Sequence, residues 1–220
     1  IADRIRWMRL PLVRIMMQAK WCYLGEGKFD WQTLDMQSLY RHLDLCQREN
    51  VTVLLTDWGC EPEWLRIPGI EDVADPKYAE AIGAYMDYLI NQRRYSCIKY
   101  FILVNEPNYE VRSWDRWRKG LENVAAAFAA KGLDEKVILM GPDHSNADEW
   151  LQQAADQLRD ILGAYDIHRY EGDGVVRPGL LEAYFRRQLD YVRAKDAGWE
   201  TKPFVVGEAG LNDDADHPYG

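Results

Sequence analysis

The sequence predicts an α/β fold in which parallel strands alternate with covering helices, and three observations predict it. Six short apolar runs, at residues 12–17, 51–56, 100–104, 137–140, 165–167 and 204–207, punctuate the chain. They recur at roughly 30 to 50 residues per unit, the spacing of βα units rather than of antiparallel hairpins. Between them lie stretches with apolar residues at helical intervals, and the chemistry-bearing residues gather just after the runs.

Taken in order, residues 1–10 place Ile5 and Met8 at helical spacing and stop at Pro11, so they read as the tail of a helix entering the first strand. That strand carries a charge, Arg14, whose burial requires a carboxylate partner; a surface arginine on an edge strand is the alternative. Residues 21–27 read as a loop. Residues 36–48, with Leu39, Leu43 and Cys46 on one side, form a helix before the strand at 51–56, which ends in Asp57-Trp58-Gly59-Cys60. Pro76 opens the next helix, with Tyr78, Ile82, Tyr85, Met86, Leu89 and Ile90 inward. The run Tyr100 to Val104 reads as a strand buried on both faces, and it delivers Asn105-Glu106-Pro107. Residues 114–131 form a helix that Gly132 stops, followed by a strand at 137–140 ending in Gly141-Pro142-Asp143-His144. A helix over 148–162 precedes the strand at 165–167 and its His168-Arg169-Tyr170. After a helix over 178–195, the strand at 204–207 presents Glu208, and residues 210–220 read as a polar tail.

Composition narrows the function classes. With 220 residues, 47% hydrophobic content and nine tryptophans, the chain can bury one large core as a single domain. A net charge of -9 without a basic patch speaks against a nucleic-acid partner. No apolar stretch reaches the roughly 20 residues of a membrane span. The four cysteines form no C-x-x-C pair, which leaves a zinc knuckle little support; Cys22 and Cys60 could meet in a disulfide if their strands are adjacent.

Asp57, Glu106, Asp143, His144, His168, Tyr170 and Glu208 thus collect at the carboxyl ends of strands, the face on which an α/β barrel builds its chemistry. A carboxyl set at such an apolar rim is partly desolvated, which favours its neutral, proton-donating form. Trp21, Trp58, Trp64, Tyr109 and Trp114 sit on loops after strands, where flat aromatic faces suit sugar rings. Trp7, Trp117 and Trp150 are expected to pack on helices.

Asn105-Glu106-Pro107, Glu208 after a later apolar strand, Arg14 inside an earlier one and His168-Arg169-Tyr170 between them resemble glycoside hydrolase clan A. The closest pattern within it is family-five-like or family-thirty-nine-like. The resemblance implies a (β/α)8 TIM barrel of which this chain holds strands two to seven in the clan's count, so that strands one and eight are missing and residues 1–220 are one incomplete barrel domain, a fragment. It departs from family five at Asp57-Trp58, where a histidine is common, and it lacks the strand-eight tryptophan. The clan's roles carry over as a retaining hydrolase of β-linked glycans or glycosides with no cofactor. Glu106 is then the acid/base, kept protonated because it is less compensated, and Glu208 the nucleophile, held ionised by Arg14 and Tyr170. Asn105 would bond the sugar 2-hydroxyl, with His168, Trp58, Trp21 and Trp114 at the substrate. An oligosaccharide or polysaccharide substrate implies secretion or the periplasm. Two other readings stay open: a metal-dependent barrel hydrolase using Asp57, Asp143, His144, His168 and Glu208, and a carbohydrate-binding barrel without chemistry.

Overall fold

All six expected strands form one parallel sheet in the computed structural model, which describes residues 2–211. Helix α1 (Ala2–Met8) leads into β1 (Leu12–Met17), and a small antiparallel hairpin, β2 (Tyr23–Gly25) and β3 (Lys28–Phe29), follows. Next come α2 (Leu34–Arg48), β4 (Thr52–Asp57), α3 (Pro76–Asp87) and β5 (Ile98–Ile102). The short α4 (Pro107–Glu110) and the long α5 (Trp114–Ala130) precede β6 (Ile138–Ser145), and α6 (Asp148–Gln157) precedes β7 (Ala164–Glu171). Finally α7 (Asp173–Val176) and α8 (Leu180–Lys195) lead to β8 (Phe204–Leu211). Polar residues start the helices as the sequence suggests. Thr33, Asp75 and Ser113 each accept a backbone N–H of the first turn of α2, α3 and α5, and Pro76 fills a position whose N–H would have no helical partner.

The strands follow one another in the order β1-β4-β5-β6-β7-β8, every pair parallel. Alternate residues serve two cores. Val53, Leu55, Phe101 and Ile167 face the helices, with Trp117, Leu121, Val124, Leu151 and Tyr85 across from them. Leu54, Ile102, Met140 and Ala164 form a separate cluster with Leu12, Tyr100 and Val205; it contains no helical residue and is therefore the inner face of the sheet.

That inner face is curled. Five strand spacings of about 4.8 Å would hold β1 and β8 about 24 Å apart in a flat sheet. Yet Arg14 of β1 reaches Glu208 of β8 at 2.7 Å. The six strands thus make the greater part of an incomplete (β/α)8 barrel, with β1 and β8 at its two edges.

Several boundaries differ from the sequence reading. The strand expected over 100–104 runs Ile98–Ile102, and Leu103 and Val104 turn out of the sheet while staying buried. Strands β6 and β7 continue through polar residues to Ser145 and Glu171, and β8 takes in Gly210 and Leu211; the rest of the expected tail lies outside the described residues. The loop after β1 folds into a 3-10 turn, Ala19–Trp21, and the β2–β3 hairpin. Cys22 and Cys60 are both buried free thiols, pushed well above the usual thiol range chiefly by burial. Trp117 and Trp150 pack in the helix layer as expected, whereas Trp7 is 84% exposed. Among the described residues no helix is long and apolar enough to cross a membrane.

Candidate active site

The charge inside β1 is the centre of the site. Arg14 projects from the inner face, its side chain only 13% exposed, and each of its nitrogens is engaged. Nε donates to Thr56 Oγ1 at 2.9 Å, Nη1 to Glu208 Oε1 at 2.7 Å, and Nη2 to Asn105 Oδ1 at 2.9 Å and Asp143 Oδ2 at 2.7 Å. One guanidinium fork therefore fixes side chains from β4, β6, β8 and the turn after β5. Four directions of donors in a rigid plane are what a lysine could not supply.

Glu106 reaches this centre because the chain leaves the sheet after Ile102. Val104 and Glu106 both adopt left-handed backbone, φ 68° and 44°, on either side of Asn105. For a β-branched valine and a glutamate this is strain of about 1–3 kcal/mol each, of the kind that clusters at functional sites. Neighbours hold it in place: Trp117, fully buried, donates its indole N–H to the freed carbonyl of Leu103 at 2.7 Å, and Asn105 N donates to the Asp57 carbonyl at 2.8 Å. The two turns swing Asn105 toward Arg14 and Glu106 toward His168.

His168, on β7, is wholly buried between carboxylates. Its Nδ1 bonds Glu106 Oε1 at 2.9 Å and lies 3.8 Å from Glu208 Oε2, while Nε2 faces Asp143 Oδ1 at 3.0 Å. Nε2 is also 2.8 Å from Arg14 Nη1, which would suit a neutral ring accepting a hydrogen. We assign the imidazolium, because two carboxylates within 3.0 Å outweigh one guanidinium and Asp143 can bridge both cations through its two oxygens. Burial lowers the His168 pKa, but the bonds to Asp143 and Glu106 overcome it and push the ring up to about 10. Burial likewise works against the Asp143 carboxylate, yet His168 and Arg14 hold it below the usual carboxylate range.

Tyr170 completes the surroundings of Glu208, donating its hydroxyl to Oε2 at 2.8 Å; that bond raises the phenol to about 12. The two glutamates are close: Glu106, His168 and Glu208 each offer an atom within 4.8 Å of the others'. They are also the accessible members of the cluster, 22% and 34% exposed, above a floor of fully buried His168 and Asp143.

The structure therefore brings together Arg14, Asn105, Glu106, His168, Tyr170 and Glu208, and it adds residues that sequence reasoning left out. Asp143, there only a candidate, bridges Arg14 and His168. Thr56 and Asp166 were not singled out at all. Asp166 stands two residues before His168 on the same face of β7, a spacing that could have flagged it. Its Oδ1 accepts Gly207 N at 2.9 Å, and burial together with the Asp143 charge pushes its carboxyl well above the usual range. A Cβ at position 207 would sit 2.6 Å from both Asp166 oxygens, so only glycine fits beside it.

Of the expected metal ligands, Asp143 and Glu208 both approach His168, whereas Asp57 and His144 stand apart. Asp57 accepts from Tyr78 and from Gly59 N on the helix side of β4, and burial raises it to about 6. His144 is buried and kept neutral, pushed down to about 4 chiefly by burial, and its Nδ1 accepts Ala147 N at 3.1 Å where α6 begins. Among the described residues the clusters of acid and histidine donors are Glu106-His168-Glu208 and Asp143-Asp166-His168, neither of which includes Asp57 or His144.

The aromatic residues divide. Trp58 follows β4, half-buried, with Trp64 edge-on at 5.5 Å and 52% exposed. Trp21 ends the turn after β1, its carbonyl accepting Thr33 Oγ1 at 2.7 Å. Trp114, expected at the substrate, instead packs against Trp117 and Trp150 at 5.3 and 5.4 Å and donates its N–H to Gln157 at 3.1 Å. That contact set commits its rings to joining α5 and α6.

No protein-family model matches the sequence, and no curated protein does either. Solved structures do match the fold. A family 39 glycoside hydrolase from the gut symbiont Bacteroides cellulosilyticus WH2 superposes with a TM-score of 0.55 at 16% identity, covering 77% of this chain and 35% of that one. A family 39 β-xylosidase from Caulobacter crescentus gives 0.60 at 15% identity over 98% of this chain and 51% of its own. A hyperthermostable endocellulase gives 0.65 at 13% identity over 100% and 69%. This chain thus spans between about a third and a half of the length of the two family 39 structures. The likeness is one of fold: like these glycoside hydrolases, the chain builds consecutive parallel βα units, here six strands of an incomplete (β/α)8 barrel.

Proposed function

We propose that this chain carries the catalytic centre of a retaining glycosidase acting on β-linked glycans or glycosides. The observation that carries the reading is the proximity of two accessible carboxylates, with atoms within 4.8 Å of each other, on a buried charged floor. Retention needs the carboxyls about 5 to 5.5 Å apart, whereas inversion needs about 6.5 to 9.5 Å to seat a water between them.

Glu208, held on both oxygens by Arg14 and Tyr170, is the nucleophile. Its carboxylate attacks the anomeric carbon as the glycosidic C–O bond breaks, and Glu106 gives its proton to the departing oxygen. In the second half Glu106 takes a proton from water, the water oxygen attacks the anomeric carbon, and Glu208 is released. His168 bonds Glu106 Oε1, which leaves Oε2 as the oxygen that carries the moving proton. Asn105 turns its carbonyl to Arg14, leaving its NH2 end for the sugar 2-hydroxyl. Trp58, half-buried after β4, is the aromatic face this reading offers to a sugar.

Proton NMR of the first-formed sugar from an aryl β-glycoside tests the reading. The β-anomer is expected to appear first; an initial α-anomer would replace retention by inversion.

A further inference from the structure

At the active face the sheet loses its backbone ladder in two places, and the same device repairs each. Pairing of β5 with β6 ends at Ile102 and Met140, while β6 continues to Ser145; pairing of β6 with β7 ends at Ser145 and His168, while β7 continues to Glu171. Asn108, two residues beyond Glu106, takes the vacated place beside Ser145: its Nδ2 donates to the Ser145 carbonyl at 2.9 Å and its Oδ1 accepts Ser145 N at 3.0 Å. Asn146, in left-handed backbone with φ 52°, does the same beside Tyr170, donating to its carbonyl at 3.0 Å and accepting its N–H at 3.1 Å. A carboxamide offers one acceptor and one donor as a peptide unit does, so each asparagine stands in for a missing strand residue.

These two rungs are continuous. Asn108 joins the Glu106 turn to Ser145, Ser145 is bonded to Asn146, Asn146 holds Tyr170, and Tyr170 holds Glu208. We propose that Asn108 and Asn146 are positioning residues, a strap that sets the place of Tyr170 and, through it, of Glu208 relative to Glu106. Neither touches substrate in this account. Its purpose rests on the retaining-glycosidase reading, but its existence does not.

The test uses Asn146→Gly, which tolerates the left-handed backbone and removes only the carboxamide. Asn146→Asp serves as the second variant, because it keeps the acceptor for Tyr170 N. On an aryl β-glycoside, Asn146→Gly is expected to lower kcat roughly ten-fold with KM nearly unchanged, and Asn146→Asp to fall between it and the wild type. In a Tyr170→Phe background the Asn146→Gly loss should shrink to less than about two-fold, since the group it positions is gone. An equal loss in both backgrounds, or none in the first, overturns the strap.

If the wild-type chain hydrolyses no glycoside, the strap is still measurable. The carbon NMR signal of the Tyr170 phenol, assigned with Tyr170→Phe, follows its ionisation, which Glu208, Glu106 and Arg14 govern. The wild type should ionise near 12 and Asn146→Gly closer to the ordinary 10. An unchanged midpoint overturns the proposal.

Discussion

Glu106 and Glu208 carry the same functional group at the ends of two strands of one sheet, yet they are held in opposite ways. Glu208 continues an extended strand, and its two oxygens meet a guanidinium and a phenol hydroxyl. Glu106 stands in a strained left-handed turn, with one oxygen on His168 and its backbone N–H 3.4 Å from Asp143. The difference separates a carboxylate fixed on both oxygens from one held on a single oxygen, and in the proposed mechanism the first would form the covalent bond and the second pass the proton. Glu106 has one side-chain partner, His168, where Glu208 has two, Arg14 and Tyr170.

The sharpest way to break this comparison is to remove each carboxylate. Glu208→Gln should lower kcat by about 10⁴-fold or more on any glycoside, because the group that forms the covalent bond is lost. Glu106→Gln should lower it by about 10²–10⁴-fold on a substrate with a poor leaving group, and by much less in the glycosylation of a 2,4-dinitrophenyl glycoside, which departs without a proton. Pre-steady-state rates with both substrates check the pair. Identical leaving-group dependence in the two variants would erase the distinction.

A smaller effect should appear in stability. Arg14→Met leaves the fully buried Asp143 with His168 alone of its two cations, and urea unfolding should show a loss of about 1–3 kcal/mol. A loss within error of zero would make Arg14 a surface residue. A further effect concerns pH. The folded-state pKa of His168 is raised from 6.5 to about 10, so its contribution is fully present below 6.5 and is lost as pH rises toward 10. The unfolding free energy of the wild type should therefore fall more steeply over that window than that of His168→Gln. Parallel curves would mean that the contact with Arg14 prevails and the ring is neutral.

Much of this was legible in the sequence. The period of apolar runs gave the sheet, and Arg14, Glu106, His168, Tyr170 and Glu208, named from the sequence, lie together in the candidate site. What could not be read depends on contacts remote in sequence. Leu103 and Val104 look like strand because they are apolar; the Trp117 indole on the Leu103 carbonyl and the Asp57 carbonyl on Asn105 N hold them out of the sheet. Asp143 looked like a loop acid and Trp114 like a sugar platform, since a carboxylate or an indole has the same local signature whether it faces substrate, cation or helix. Strands β6 and β7 run further through polar residues than the apolar runs mark, because side-chain amides, invisible to periodicity, complete their hydrogen bonds.

The account turns on a covalent bond to one side chain. A 2-deoxy-2-fluoro β-glycoside with a good leaving group should accumulate the glycosyl-enzyme, and mass spectrometry of proteolytic fragments locates it. The account predicts one sugar per chain, on the fragment containing Glu208, absent in Glu208→Gln. An adduct on Glu106, or hydrolysis of the parent glycoside with no adduct at all, would contradict it.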